Sequence, residues 1–305
     1  MGVPAGTLSA ERFEAERGRL RAVAYRMLGS LGEAEDAVQE AWLRASRADT
    51  GEVENLGGWL TTVVARVCLN VLRARRARPE EPLDHTLLDT RPDPEQEALL
   101  ADSVGVALLV VLDRLGPAER LAFVLHDMFA VPFDDIAPLI DRTPAAARQL
   151  ASRARRRVRG TDPAPADLGR QRTAVAAFLA ATRGGDFEAL VSLLAPDVVL
   201  TADKWVVPTP EPVTVAGADR VARGAMAAMG RARFTGPALL DGRVGLAMAP
   251  GGRLALVLFF TVTDDGITEI DVVADRERLA ELAVAALPGS LPGSLPGSLP
   301  GSLPG

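Results

Sequence analysis

The chain has 305 residues, 48% of them hydrophobic and 24% charged, which excludes wholesale disorder and allows about two or three domains. Forty carboxylates against 34 basic residues give a net charge of −6, which taken alone argues against a nucleic-acid binder. Cys68 is the only cysteine and His85 and His126 are the only histidines, so a disulfide framework and a Cys/His metal site are excluded; no metal or cofactor is expected.

Residues 9–78 read as helical. Ser9 is a candidate N-cap, and Phe13, Leu20, Val23, Ala24 and Met27–Leu28 recur at helical spacing. Ser30 to Glu33 resembles a capping box that opens a second helix running to Arg47. On that helix Glu33, Asp36 and Glu40 share a face with Gln39 and Leu43, which by spacing alone is solvated surface. After the loop-like stretch 49–58 comes a third helix with Leu60, Val63–Val64, Val67–Cys68 and Val71–Leu72 on its buried side. Its far end gathers Arg66, Arg73, Arg75, Arg76 and Arg78 without a carboxylate among them, and Asn55 and Trp59 stand upstream.

At Pro79 the composition changes. Residues 79–100 hold four prolines and seven carboxylates against one arginine, an acidic extended linker. Residues 101–160 are helical again, with breaks at Gly116-Pro117 and at Asp141 to Pro144. The last 28 residues of that unit read as a short helix over 133–140, a tight turn, and a second helix with Thr143 as N-cap and Pro144 at its first position. The second helix carries six arginines and no carboxylate. Two helices joined by a turn, the second basic, fit a helix-turn-helix. A solvated basic helix end is the plain alternative; the turn, the cap and the buried stripe favour DNA.

A Pro/Ala linker, 161–169, introduces residues 170–286, an α+β pattern. Helices are expected over 173–182 and 187–194, and strands over 198–201, 213–215, 244–248, 254–262 and 267–273. Residues 287–305 repeat Leu-Pro-Gly-Ser and read as a disordered tail. No apolar run reaches the about 18 residues of a membrane span and the N-terminus lacks a signal-peptide pattern, so a cytoplasmic protein with no membrane partner is expected.

Read together, the motifs resemble one family. Ala34-Glu-Asp-Ala-Val-Gln-Glu-Ala-Trp-Leu-Arg44 and Trp59-Leu-Thr-Thr-Val-Val-Ala-Arg66 are similar to region 2 of bacterial extracytoplasmic-function sigma factors. Leu115-Gly-Pro-Ala-Glu-Arg120 and Ala145-Ala-Ala-Arg-Gln-Leu-Ala-Ser-Arg-Ala-Arg155 resemble region 4. Ala122-Phe-Val-Leu-His-Asp-Met-Phe-Ala-Val-Pro-Phe133 narrows the likeness to the sigma-J-like subgroup, which carries a SnoaL-like C-terminal domain. The resemblance implies two all-α sigma domains, 8–78 and 101–160, and a cone-shaped α+β domain over 170–286. It implies that Asp36, Gln39, Glu40 and Leu43 dock on the β′ clamp helices of core RNA polymerase, with a further contact to the β flap. Asn55, Arg66, Asn70 and Arg73 would engage the −10 element. Arg148, Gln149, Ser152 and Arg153 would reach bases of the −35 element, with Arg155 and Arg156 near phosphates. Val67 stands where many such factors carry Asn.

A ketosteroid-isomerase-type site needs a carboxylate base and an oxyanion donor, and residues 170–286 contain no Tyr, His or Cys, so no enzyme is expected. In the subgroup the fused domain restrains or supports the sigma domains in place of a separate anti-sigma protein. Two of its short motifs are degraded here: Asp203, Lys204 and Trp205 stand where an Asp-Gly-rich signature is expected, and Ala274 to Glu277 where Asn-Pro-Asp-Lys is expected. Trp205 is expected to cover one end of the cone. Two alternatives are a one-component, ligand-sensing helix-turn-helix regulator that acts without polymerase, which leaves the Glu33–Leu43 face unexplained, and an isomerase-like enzyme with DNA-binding appendages, which the missing Tyr and His disfavour.

Overall fold

The computed structural model describes residues 8–51, 53–77, 105–160, 168–206, 209 and 211–288. The acidic segment 79–100, most of 161–169 and the Leu-Pro-Gly-Ser repeat beyond Pro288 lie outside the described residues.

The first unit consists of α1 (Ala10–Leu28), α2 (Leu31–Ala45) and α3 (Leu56–Ala77). The Ser9 hydroxyl oxygen accepts the Arg12 N–H at 3.3 Å and so caps α1. Gly29, at φ 82°, ends it in the left-handed conformation. The buried faces are those that the spacing indicates: Phe13, Leu20, Val23 and Met27 on α1, Leu60, Val64, Cys68 and Leu72 on α3. The capping box at Ser30 does not form. Ser30 is the N-cap residue of α2 but its side chain makes no capping bond, and the Glu33 carboxylate, the other half of the box, is drawn into an ion pair with Arg75 of α3.

The second unit runs through α4 (Val106–Asp113), α5 (Pro117–Phe123), a π-helical turn Val124–Met128, α6 (Phe133–Ile136) with a 3-10 turn to Leu139, and α7 (Pro144–Arg159). The sequence of α4, Val-Ala-Leu-Leu-Val-Val-Leu-Asp, has no polar face, and every residue from Val106 to Leu112 is buried. A helix of that kind must be covered all round. It lies between α1 and α7 on one side and the sheet of the third unit on the other.

The third unit begins with α8 (Leu168–Gly184), α9 (Phe187–Leu193), β1 (Leu194–Ala202) and β2 (Val213–Ala216). It continues through α10 (Ala218–Ala227), α11 (Met229–Ala232), β3 (Thr235–Leu240), β4 (Arg243–Met248), β5 (Leu256–Thr263), β6 (Gly266–Val273), α12 (Arg276–Glu281) and β7 (Val284–Ala285). Among the described residues the strands form one seven-stranded sheet in the order β2-β1-β6-β5-β4-β3-β7. Its pairs are antiparallel except β1 with β6. One face is closed by helices: Val175, Phe178, Leu190 and Val221 pack with Leu246, Phe260 and Ile270, so the space between helices and sheet is filled. Phe178 meets Phe260 edge to face at 5.3 Å. Five of these strands are visible in the sequence, and β3 and β7 are not. Thr-Gly-Pro-Ala-Leu-Leu of β3 reads as a turn, and its apolar residues are buried on both sides, which erases alternation.

The other face of the sheet carries Ala238, Leu240, Ala247, Val257 and Val273, and it is continuous with the cores of both helical units. Three backbone approaches fix the join. A Cβ on Gly236 would lie 2.9 Å from Cβ of Val106, and one on Gly29 would lie 2.8 Å from the Gly251 carbonyl oxygen. The Ala286 N–H donates to the Val158 carbonyl at 3.1 Å. Arg114 Nη2 donates to the Leu279 carbonyl at 2.7 Å, closing the end of α12. Leu287, which opens the repeat in the sequence, is buried, and the Pro288 carbonyl accepts from Arg172 at 3.1 Å. The third unit therefore reaches Pro288.

Leu109 of α4 is buried beneath Gly252. Leu109→Ala is expected to cost about 2–5 kcal/mol in urea unfolding. Because the core is shared, circular dichroism and tryptophan fluorescence should shift together; a transition of the third unit that stays in place would contradict that core.

Candidate nucleic-acid interface

The turn before α7 is made by Asp141, at φ 55°, a conformation Asp tolerates through its short polar side chain. Thr143 Oγ1 accepts the Ala146 N–H at 3.2 Å, and Pro144 takes the first helical position. Ala147, Ala151, Ala154 and Val158 are buried, and their small size lets α7 lie close against α5. Arg148, Gln149, Ser152, Arg153 and Arg156 are exposed and Arg155 is half-buried. The residues that the sequence points to therefore share one outward surface.

Two carboxylates from preceding elements hold its edges. Glu119 of α5 accepts from Arg153 Nε at 3.2 Å and from Arg157 Nη1 at 2.7 Å. Asp127 of the π-helical turn accepts from Arg155 Nε at 2.5 Å. The Arg148 guanidinium lies over the Phe133 ring at 5.2 Å, and that ring stacks on His126 at 3.8 Å. These partners are invisible to sequence reading because they lie 15 or more positions away from the arginines they hold, without a periodic signal.

In the first unit Asp36, Gln39 and Leu43 are exposed along α2, and Glu40 is half-buried and paired with Arg44 at 2.8 Å. Leu43 is 44% exposed, an apolar side chain set among polar ones. Arg66, Asn70 and Arg73 form an exposed stripe on α3. Asn55 stands apart from that stripe. Its Oδ1 accepts the Gly58 N–H at 2.9 Å, capping α3, a structural role that the sequence reading missed although Asn is a preferred N-cap. Arg73 also faces the second unit: its Nη2 is 3.9 Å from Asp141 Oδ2.

The seam between the two helical units is polar at its centre. Arg120 of α5 is 2% exposed; its Nε donates to the Arg26 carbonyl at 3.2 Å and its Nη1 lies 3.6 Å from Asp113. Its Nη2 is buried with no hydrogen-bond partner among the described residues. Burial pushes the guanidinium down to about 10, which leaves it charged at neutral pH. Burial likewise pushes the neighbouring Cys68 thiol up to about 12, so it is a neutral, unreactive sulfur.

On the third unit the two degraded motifs are tied together. Asp203 Oδ2 accepts the N–H groups of Ala274 and Asp275 at 2.7 and 2.8 Å, and its Oδ1 accepts those of Trp205 and Val206. The Trp205 indole donates to Asp275 at 3.1 Å, with the Lys204 ammonium 5.1 Å from the ring centre. Hydrogen bonds to the charged carboxylate, first that from the Arg278 N–H, hold Asp275 below the usual carboxylate range. Trp205 is 55% exposed and outside the apolar cluster of the third unit, so it does not make the expected cover.

Residues 12–78 match the family model for Sigma-70 region 2, and residues 105–158 match that for Sigma-70, region 4. Over 230 residues the chain is 42% identical to the ECF RNA polymerase sigma factor SigJ of Mycobacterium tuberculosis, covering 71% of this chain and 72% of that one. The chain belongs to the extracytoplasmic-function sigma factors. It is also 38% identical over 218 residues to the probable sigma factor SigI of the same species, covering 68% and 73% of the two chains. The crystal structure of M. tuberculosis SigJ covers 89% of this chain and 98% of its own, at 35% identity and a TM-score of 0.42. The first unit is thus sigma region 2, the second is sigma region 4, and the third is a C-terminal α+β domain. Among the described residues of this sigma factor no helix is long and apolar enough to cross a membrane.

Arg120→Ala strips the seam of a buried charge whose partners remain, and is expected to lower stability by about 3–5 kcal/mol. Arg120→Met, which refills the volume, should lose less; equal losses in urea denaturation would show that the lost charge and hydrogen bonds, and not the vacated volume, set the cost.

Proposed function

We propose that this sigma factor docks on core RNA polymerase through Asp36, Gln39, Glu40 and Leu43 of α2, with the β′ clamp helices as the receiving surface. In this reading Arg66, Asn70 and Arg73, together with Asn55, engage the −10 element, and α7 reads the −35 element through Arg148, Gln149, Ser152 and Arg153. Arg155 and Arg156 neutralise phosphate, and region 4 also meets the β flap. The observation that carries the polymerase assignment is the exposed apolar Leu43 on an acidic and polar helix face. A regulator acting on DNA alone has no use for that face.

The distance between Arg73 and Asp141 bears on mechanism. By their designations the two promoter elements are about 25 base pairs apart, or about 85 Å of B-form duplex at about 3.4 Å per pair. An α3 stripe whose Arg73 lies 3.9 Å from the turn before α7 does not span that length. The compact arrangement is the off-promoter form, and initiation requires regions 2 and 4 to part. The fused domain, packed on both, modulates that opening, and a separate anti-sigma protein is not required. No catalytic role is assigned to it, since its interior is occupied by Phe178, Phe260 and aliphatic neighbours.

Run-off transcription with the full chain and bacterial core polymerase tests the assignment. Initiation is expected at promoters selected from random DNA, and Leu43→Arg should abolish core binding while the circular dichroism spectrum is unchanged. If the chain directs no initiation, or if Leu43→Arg leaves core binding intact, the docking assignment is wrong. Fluorophores on α2 and α7 should move apart when holoenzyme forms on a promoter, and an unchanged transfer efficiency would rule out the opening.

A further inference from the structure

We propose that Glu119, which lies outside the recognition helix, sets how sharply that helix discriminates between promoters, as a positioning residue acting through Arg153 and Arg157. This inference rests on the assignment of α7 to the −35 element. Glu119 sits at the third position of α5, and its Oε2 accepts the N–H of the N-cap residue Gly116 at 3.3 Å, just before Pro117. The carboxylate is thereby anchored to backbone. Its side chain is 13% exposed, whereas the Arg153 and Arg157 side chains are 50% and 56% exposed.

The two arginines, one turn apart on α7, are held at different atoms. Arg153 is engaged at Nε, at 3.2 Å. That leaves its Nη1 and Nη2 pair, the fork that matches the O6 and N7 acceptors of guanine, outside the bond to the carboxylate. An arginine fixed at Nε has already surrendered the side-chain freedom that base contact would otherwise cost. Arg157 is engaged at a terminal nitrogen, Nη1, at 2.7 Å, and is held back from the phosphates it would otherwise reach. One carboxylate therefore presents a base-reading fork and withholds a sequence-blind contact. On the opposite flank Asp127 takes Arg155 at Nε too, at 2.5 Å, so engagement at Nε recurs on both edges of the surface.

The test uses the full chain reconstituted with core polymerase, a promoter duplex and a duplex whose −35 element is replaced. Glu119→Gln keeps the shape and an acceptor for the Gly116 N–H but removes the charge. Discrimination between the duplexes is expected to fall about tenfold, the scale of one bidentate contact. Binding to the replaced duplex should strengthen, and the slope of log K against log salt should become more negative by about 0.9 as Arg157 gains a phosphate. In an Arg153→Ala background, Glu119→Gln should cause no further loss of discrimination. A merely structural role would weaken both duplexes alike and would add to the effect of Arg153→Ala; either result, or wild-type discrimination in Glu119→Gln, overturns the proposal. If the unaltered chain itself binds both duplexes equally, the −35 assignment fails instead.

Discussion

A helix with no polar side has to be enclosed, and α4 imposes that demand on everything around it. Val106 to Leu112 are buried, and covering all sides takes α1 of region 2, α7 of region 4 and the sheet of the third domain together. Burying a Val or Leu side chain is worth about 1.5–3 kcal/mol, so the six large aliphatic residues represent on the order of 10 kcal/mol, an upper bound because unfolded chains already bury some surface. That is comparable with the whole net stability of about 5–15 kcal/mol of an ordinary domain. The third domain is thus part of the core that region 4 needs.

The two joins differ in chemistry. Region 4 meets the third domain through aliphatic side chains and bare backbone, with Gly236 against Val106 and Ala286 bonded to Val158. Region 2 meets region 4 across the contact of α1 with α4, the buried Arg120 with its unpartnered Nη2, and the solvent-exposed Arg73–Asp141 approach. Buried charges that are incompletely paired contribute little net stability. The polar part of this join therefore holds the two regions weakly, and their separation would uncover the side of α4 that α1 covers while leaving region 4 attached to its sheet.

Elements whose cause is local were legible in the sequence. Thr143, Pro144 and the alanine stripe of α7 form a cap, a first turn and a face without help from elsewhere, and the outward arginines followed directly. The same holds for Ser9 and for the strands with clean apolar runs. What escaped has a distant cause. Glu33 abandons its capping box for Arg75, 42 positions away, and Glu119 reaches Arg153 across 34. Strand β3 exists because β4 and β7 flank it, not because of its own composition. The linkers at 79–100 and 161–169 suggested three separable bodies, yet long connections do not prevent the bodies from sharing a core. The net charge of −6 likewise concealed a basic surface, since seven of the carboxylates fall within residues 79–100.

Where region 2 touches the third domain, Gly29 abuts Gly251 and Gly252, so the contact consists of main chain on both sides. Gly29 is held there twice over, by its positive φ and by the lack of room for a Cβ. A joint without side chains cannot be retuned by exchanging one residue for another of different size. Sequence drift can adjust it only by lengthening or shortening the turn at Pro250, so variation in the strength of this coupling among relatives should be written in loop length and not in residue identity.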